Sequence, residues 1–253
     1  MPLTPAQASS FIADGYVVVP ALVSRELVTA ALRAINRDLG AGLDPRHIPG
    51  YLAQSFCPAI VSSAPILDLL RRSPALALLQ SALGAPIQPP TSAQIALRFP
   101  GYGLPGTLSA PHLDGIPDRA GANGVPPQTI ASFTALVYVL LSDVDGPFAG
   151  NFLVHPGSHR VIAAWLRTHG AASLVGGLPP VALAAPRQIT GRAGDVVIAH
   201  YQLAHGVAAN DGEQIRYACF FRTAVAGLDG HRDASLLDPW RDWQGLRDAL
   251  PVP

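Results

Sequence analysis

The segment PHLDG, residues 111–115, sets an imidazole and a carboxylate two positions apart. In extended backbone alternate side chains share a face, so His112 and Asp114 project toward one point and could fill two positions around a metal ion. Taken alone, a His-x-Asp after Pro111 is more often ordinary loop. His205 changes that balance. It is a further isolated histidine in strand-like sequence, followed by Asp211-Gly212, a two-residue hairpin signal. A turn centred on that pair sets residue 205 opposite 218 and residue 207 opposite 216. Arg216 then neighbours Val207, whose side chain points the same way as that of His205. The offset along the strand is two residues, about 7 Å. That is the reach of a five-carbon diacid held at one end by a metal and at the other by a guanidinium.

Two histidines and one carboxylate on one face of a metal leave its other positions open, the arrangement of non-haem Fe(II) oxygenases. A Zn-dependent hydrolase is the rival reading, although the helical H-E-x-x-H that usually carries its ligands is absent. A non-catalytic metal- or small-molecule-binding protein is a third. Composition removes other chemistries. The 253-residue chain has 17 Lys+Arg against 17 Asp+Glu, and every basic residue is Arg. Without Lys there is no Schiff-base lysine, no phosphate-loop lysine and no kinase strand lysine. Net charge is zero and only 13% of residues are charged, so no field steers the chain to nucleic acid or a membrane, and a small-molecule partner is expected. Cys57 and Cys219 lie far apart and read as two reduced, buried thiols. The opening MPLTPAQASSF has no basic segment, and the run from Val17 to Val19 is too short for a signal or a span, which points to a cytoplasmic protein. No feature fixes an oligomeric state.

Helices precede strands along the chain. Ser24 suits an N-cap, with Leu27, Ala31, Ile35 and Leu39 recurring every four residues before Gly40. Ser73, Pro74, the run ALALLQSAL and Gly84 give a second helix with its start and stop signals. From about residue 91 the segments SAQIALRF, SFTALVYVLLSD, NFLVH, GDVVIAH, HGVAAN and IRYACFFRTAV read as short strands, which indicates a sandwich or barrel. VIAAWLRTHG (161–170) is one further helix. GYGLPG (101–106) matches a dinucleotide fingerprint by letter only, because Pro105 interrupts it and no helical pattern follows. No linker splits the chain. It reads as one domain, with a helical part over about 1–90, a β core over about 91–225 and a tail over 226–253.

PHLDG (111–115), GNFLVHPGSHR (150–160), GDVVIAHYQLAHGVAAN (194–210) and Arg216, in that order, resemble the phytanoyl-CoA dioxygenase family of Fe(II)/2-oxoglutarate-dependent oxygenases. The opening LTPAQASSFIADGYVVVPALVSRELV is similar to that family's helical start, so the resemblance covers nearly the whole chain. It implies a mainly β fold, with a double-stranded β-helix (jelly-roll, cupin-like) core and flanking N-terminal α-helices. It implies that His112, Asp114 and His205 are the catalytic iron ligands, that Arg216 binds the distal carboxylate of 2-oxoglutarate, and that O2 is the oxidant. The strand FTALVYVLLSD corresponds to one lining the co-substrate pocket, where Thr134 and Tyr138 share a face. Gln94 and Arg98 share a face of QIALRF, Gln94 as a co-substrate contact and Arg98 as a substrate contact.

Val207 departs from relatives that often carry a hydroxyl residue there to hold the co-substrate. Asp114 is intact, whereas halogenating relatives place a small residue at that position. The implied reaction is therefore oxidation, in the first place hydroxylation, of a C–H bond in a small, moderately apolar metabolite, with release of succinate and CO2. IPDRAGANGVPPQ (116–128), beside the Asp ligand, is the candidate lid. The other histidines read as structural. His155 and His159 flank the PGS turn, His200 points away from His205 by parity, and His47, His169 and His231 have no partner pattern. Asp195 and Asn210 read as turn residues, and Trp240 and Trp243 as docking the tail onto the core.

Overall fold

Short polar side chains start three of the helices. The Thr4 hydroxyl accepts from the Gln7 N–H while the Gln7 side chain accepts from the Thr4 N–H, a capping box that opens α1 (Pro5–Asp14). Ser24 caps α2 (Arg25–Leu39) and Ser73 caps α5 (Pro74–Leu83), at the positions the sequence predicts. Gly84 ends α5 in the left-handed region, at φ 65°. Between these helices lie α3 (Ile48–Ala53) and α4 (Ala64–Arg71). The computed structural model describes residues 2–117 and 123–249.

One strand interrupts the helical third. YVVV forms β1 (Tyr16–Val19) and pairs antiparallel with β6 (Val196–His200) at the edge of a five-stranded sheet. β2 (Gln94–Arg98), β3 (Ala135–Leu140) and β8 (Arg216–Thr223) complete that sheet in the order β1-β6-β3-β8-β2. A second sheet has the order β5-β4-β7, from β4 (Phe152–Val154), β5 (Arg187–Gln188) and β7 (His205–Val207). Leu108 bridges to Ala208 and His112 to His205, so the segment before the Asp114 turn runs along β7. Helical residues outnumber strand residues, with α6 (Ser158–His169) between β4 and β5 and α7 (Arg232–Leu237) after β8. The expectation of a mainly β chain therefore holds for the core alone.

Alternation decides what each face of the large sheet meets. Ile95, Val137, Val139, Cys219 and Phe221 point to one side and pack with the N-terminal helices. Leu136, Tyr138, Leu140 and Ala218 point to the other, toward Phe152 and Val154 of the small sheet. By the same parity Gln94 and Arg98 on β2, and Arg216, Phe220 and Arg222 on β8, reach the space between the sheets.

The hairpin predicted at Asp211-Gly212 is not a two-stranded ladder. β7 pairs with β4 while β8 pairs with β2 and β3, so the chain crosses from one sheet to the other between them. Asn210 sets the crossing. Its amide donates to the Arg98 and Gln214 carbonyls and its Oδ1 accepts from the Gly212 N–H, while the Asp211 carboxylate accepts from the Gly106 N–H. These side-chain bonds replace ladder bonds. Val207 accordingly faces Phe152 and not residue 216.

The tail docks through its tryptophans. Trp243 is 1% exposed, with its ring 4.4 Å from that of Phe11. Trp243→Ala should cost about 3–5 kcal/mol, seen as a lower urea midpoint. Beneath the tail the His200 ring bonds to the Pro239 carbonyl and the His159 ring to the Ile12 carbonyl. Burial pushes His159 down to about 3 and His200 to about 4. Below the ordinary value of 6.5 the unfolded chain thus binds more protons than the folded one. Their contribution to stability is complete above that value and is lost as the pH falls toward the depressed ones. Urea titrations across this range should show the loss, and His200→Gln should reduce it; a flat profile would contradict it.

Cys57 and Cys219 are both buried and free, and burial pushes the Cys57 thiol up to about 12. Among the described residues no helix is long and apolar enough to cross a membrane.

Candidate metal centre

His112 and His205 are brought together by backbone before side chain. Each N–H donates to the other's carbonyl, at 2.9 and 3.0 Å, which makes them a hydrogen-bonded antiparallel pair. Their rings lie 4.5 Å apart. Asp114 stands in a turn rather than a strand, closed by Gly115 at φ 74°, where any Cβ would collide with the Ala131 carbonyl. The Asp114 Oδ1 is 3.6 Å from His112 Nε2 and 3.5 Å from His205 Nε2. One ligand atom from each residue lies within 4.8 Å of the others. Ligands about 2.0–2.2 Å from a shared ion stand at comparable separations, so the three residues fit a single metal.

The electrostatics prepare these groups as ligands. A carbonyl oxygen only accepts, so the 2.9 Å bond between His205 Nδ1 and the Leu203 carbonyl places the proton on Nδ1 and leaves Nε2 free for a metal. Burial alone would raise the Asp114 pKa. The Arg222 guanidinium beside it, and then His205, instead hold it well below the usual carboxylate range.

A second pole faces this one. Arg98 and Arg216 are direct cross-strand partners on β2 and β8, and both are buried. Arg216 donates from Nε to the Gly150 carbonyl at 2.7 Å and from Nη1 to that of Ala96 at 3.0 Å. Arg98 donates to the Leu97 carbonyl at 2.8 Å and lies 4.6 Å over the Tyr102 ring. Gly150, at φ 70°, makes room for both, since a Cβ there would stand 2.7 Å from the Arg98 Cβ. Among the described residues neither arginine has a carboxylate partner, and Arg98 Nε is buried without any. Burial, and then Arg216, push Arg98 down to about 10, so it remains a cation at neutral pH. Two adjacent buried cations are costly unless an anion joins them.

One cavity of about 890 Å³ connects the two poles. His112, Asp114 and His205 line it, as do Gln94, Arg98 and Arg216. Phe152 and Phe220 form its apolar wall, backed by Tyr138 at 5.0 and 4.7 Å, and the Tyr138 ring lies 6.0 Å from the Arg216 guanidinium. Thr134 is not brought to this cavity. Its hydroxyl accepts from the Val225 N–H, and it lines a separate small pocket beside His200. Gln94 sits toward the metal end, accepting from Arg222. Of the predicted lid, Ile116, Pro117 and Asn123 border the cavity, whereas residues 118–122 lie outside the described residues.

Arg222 and Tyr102 are among the lining residues that escaped the sequence reading. Arg222 was within reach of it, because residues 216, 218, 220 and 222 share a face of one strand. Tyr102, in the glycine-rich loop, gave no periodic signal. His155 and His159 are tied to the Ala184 and Ile12 carbonyls, and the Ser158 hydroxyl between them accepts from the Ala204 N–H, bracing the residue before His205.

No family model and no curated protein matches the sequence. Solved structures do match. The non-haem α-ketoglutarate-dependent epimerase SnoN from nogalamycin biosynthesis is 22% identical at a TM-score of 0.59, over 87% of this chain and 82% of its own. EctD from S. alaskensis, solved with bound Fe, is 19% identical at 0.58, over 88% of this chain and 77% of its own. HygX from Streptomyces hygroscopicus, solved with nickel and 2-oxoglutarate, is 17% identical at 0.56, over 89% and 88%. The chain thus shares with these proteins a cupin-like sandwich of antiparallel sheets flanked by helices.

Proposed function

We propose that the chain is an Fe(II)- and 2-oxoglutarate-dependent oxygenase of the phytanoyl-CoA dioxygenase type that hydroxylates a C–H bond of a small-molecule metabolite. The observation that carries this reading is a single cavity with a His-Asp-His cluster at one end and two buried guanidiniums without carboxylate partners at the other. A diacid that is also a chelator satisfies both poles. EctD and HygX hold Fe, or nickel with 2-oxoglutarate, in the same fold, which supports the choice. The passage of the chain between sheets after β7 suits a double-stranded β-helix.

When bound, Fe(II) with 2-oxoglutarate supplies O2-driven oxidation of a C–H bond, with succinate and CO2 as co-products. The chain contributes position and environment. His112, Asp114 and His205 would hold the ion. Arg216 offers planar, paired donors to the distal carboxylate, which suits bidentate binding. Arg98, adjoining Arg216, is better assigned to that same carboxylate than to substrate. Phe152 and Phe220 keep water from the wall between the poles. Leu52, Ile116, Val175 and Leu178 add apolar lining for a substrate. The substrate is small and moderately apolar, and the loop over 116–128 is its candidate lid.

Succinate release tests the function. Fe(II)-loaded protein with 2-oxoglutarate and O2 should release succinate faster when a suitable metabolite from a broad panel is added. Ester or amide hydrolysis by protein that retains zinc, without O2 or 2-oxoglutarate, would make it a hydrolase. Protection of the 116–128 loop from proteolysis by iron, an oxoglutarate analogue and substrate together tests the lid.

A further inference from the structure

The two oxygens of Asp114 have different partners. Oδ1 faces the imidazoles, 3.6 Å from His112 Nε2 and 3.5 Å from His205 Nε2. Oδ2 receives an N–H bond from Arg222 Nε at 3.0 Å and is ion-paired to Arg222 Nη2 at 2.7 Å. Such charge-assisted bonds are short and strong. Arg222 Nη2 also donates to Gln94 Oε1 at 2.7 Å. Both holders stand on strands of the large sheet: Gln94, on its edge strand, pairs with Phe220, and Arg222, two residues further along β8, pairs with Leu136. The carboxylate, though on a turn, is thus gripped from a rigid surface.

A carboxylate that can rotate binds a metal through one oxygen or both. Here Oδ2 is already engaged by the Arg222 guanidinium. The geometry points to Arg222, buttressed by Gln94, as the positioning residue that confines Asp114 to coordination through Oδ1 alone. An octahedral ion then keeps three positions open beside its three protein ligands, where an Asp114 binding through both oxygens would leave two. This inference rests on the oxygenase reading, which needs those positions for a chelating co-substrate and O2. It also gives Gln94 a role other than the co-substrate contact expected of it: Gln94 acts on the guanidinium that holds the ligand.

The assignment makes a prediction that general damage to the fold does not. Loss of Arg222 removes a positive charge near the ion, which favours metal binding, and frees Oδ2 to take a position meant for the co-substrate. Metal and co-substrate affinities should therefore separate. The probes are Ni(II) alone and 2-oxoglutarate added to the Ni(II)-loaded protein, both measured by calorimetry, with Asp114 read in crystals of the Ni(II)-loaded variants.

In Arg222→Leu, Ni(II) affinity should stay within about threefold while 2-oxoglutarate affinity falls about 10- to 100-fold, and both Asp114 oxygens should lie on the nickel. Arg222→Lys should restore part of the loss, because an ammonium still engages Oδ2, and Gln94→Leu should give a smaller loss in the same direction. Asp114 bound through one oxygen in Arg222→Leu, with wild-type 2-oxoglutarate affinity, would overturn the assignment. So would a parallel fall in both affinities together with a lowered melting temperature. If the wild type binds Ni(II) but no 2-oxoglutarate, the oxygenase reading fails instead, and the number of Asp114 oxygens on nickel in wild type and Arg222→Leu still decides the role of Arg222.

Discussion

Arg216→Ala is expected to weaken 2-oxoglutarate binding while leaving the metal in place. The Arg216 side chain is 3% exposed, and two of its five N–H donors are engaged by the Gly150 and Ala96 carbonyls. Those bonds fix the plane of the guanidinium and leave the other donors for a carboxylate. Removing one partner of a buried, hydrogen-bonded charge pair costs about 2–5 kcal/mol, which at about 1.4 kcal/mol per tenfold is a loss of roughly 30-fold to several thousandfold. Arg98 remains and should leave residual binding toward the lower end of that loss. Arg216→Lys should recover little, since an ammonium is a point charge and cannot keep the carbonyl bonds while offering a paired face. Metal affinity should not change, because the three candidate ligands stand on other segments. Calorimetry on the Ni(II)-loaded protein measures both quantities, and an Arg216→Ala variant with wild-type 2-oxoglutarate affinity would refute the assignment.

The second large effect is expected at His205. Its ring is held by the Leu203 carbonyl on one side and packs 5.4 Å from Phe152 on another, so Nε2 is aimed before any metal arrives. His205→Ala leaves one imidazole and one carboxylate, and the carboxylate is still engaged by Arg222. Such a pair should not retain iron through dialysis, and metal content should fall below about a tenth of the wild-type value. His112→Ala should behave alike. The fold should survive either change, because the backbone bridge between residues 112 and 205 does not use the side chains. Stoichiometric Fe(II) in dialysed His205→Ala would remove His205 from the centre.

The candidate cluster was legible in the sequence because it is local in type: a His-x-Asp, a distant isolated histidine, and an arginine eleven residues after it. Parity gave Gln94 and Arg98 a shared face, and that face borders the cavity that Arg216 also lines. The same rule applied to β8 beyond Arg216 reaches Arg222. What misled the reading was pairing. A two-residue turn signal at Asp211-Gly212 suggested that β7 and β8 are neighbours, yet Asn210 spends its side chain on Arg98 and Gln214 and sends the chain to the opposite sheet. Sequence carries no direct signal for that, because the competing partners are 112 and 4 residues away. Thr134 failed for a related reason. It precedes the strand proper, and its hydroxyl is used by the Val225 N–H. β1 was hidden because four residues between two helices are too few to show a period.

The most direct test of the oxygenase reading is an anaerobic titration of the Fe(II)-loaded wild-type chain with 2-oxoglutarate, followed by visible absorption. A chelated 2-oxo acid on Fe(II) gives a weak charge-transfer band. The band should grow to saturation at one 2-oxoglutarate per iron, and it should be absent in His112→Ala. A wild-type chain that shows no band at saturating iron and 2-oxoglutarate, and that keeps stoichiometric zinc through purification, would contradict the account.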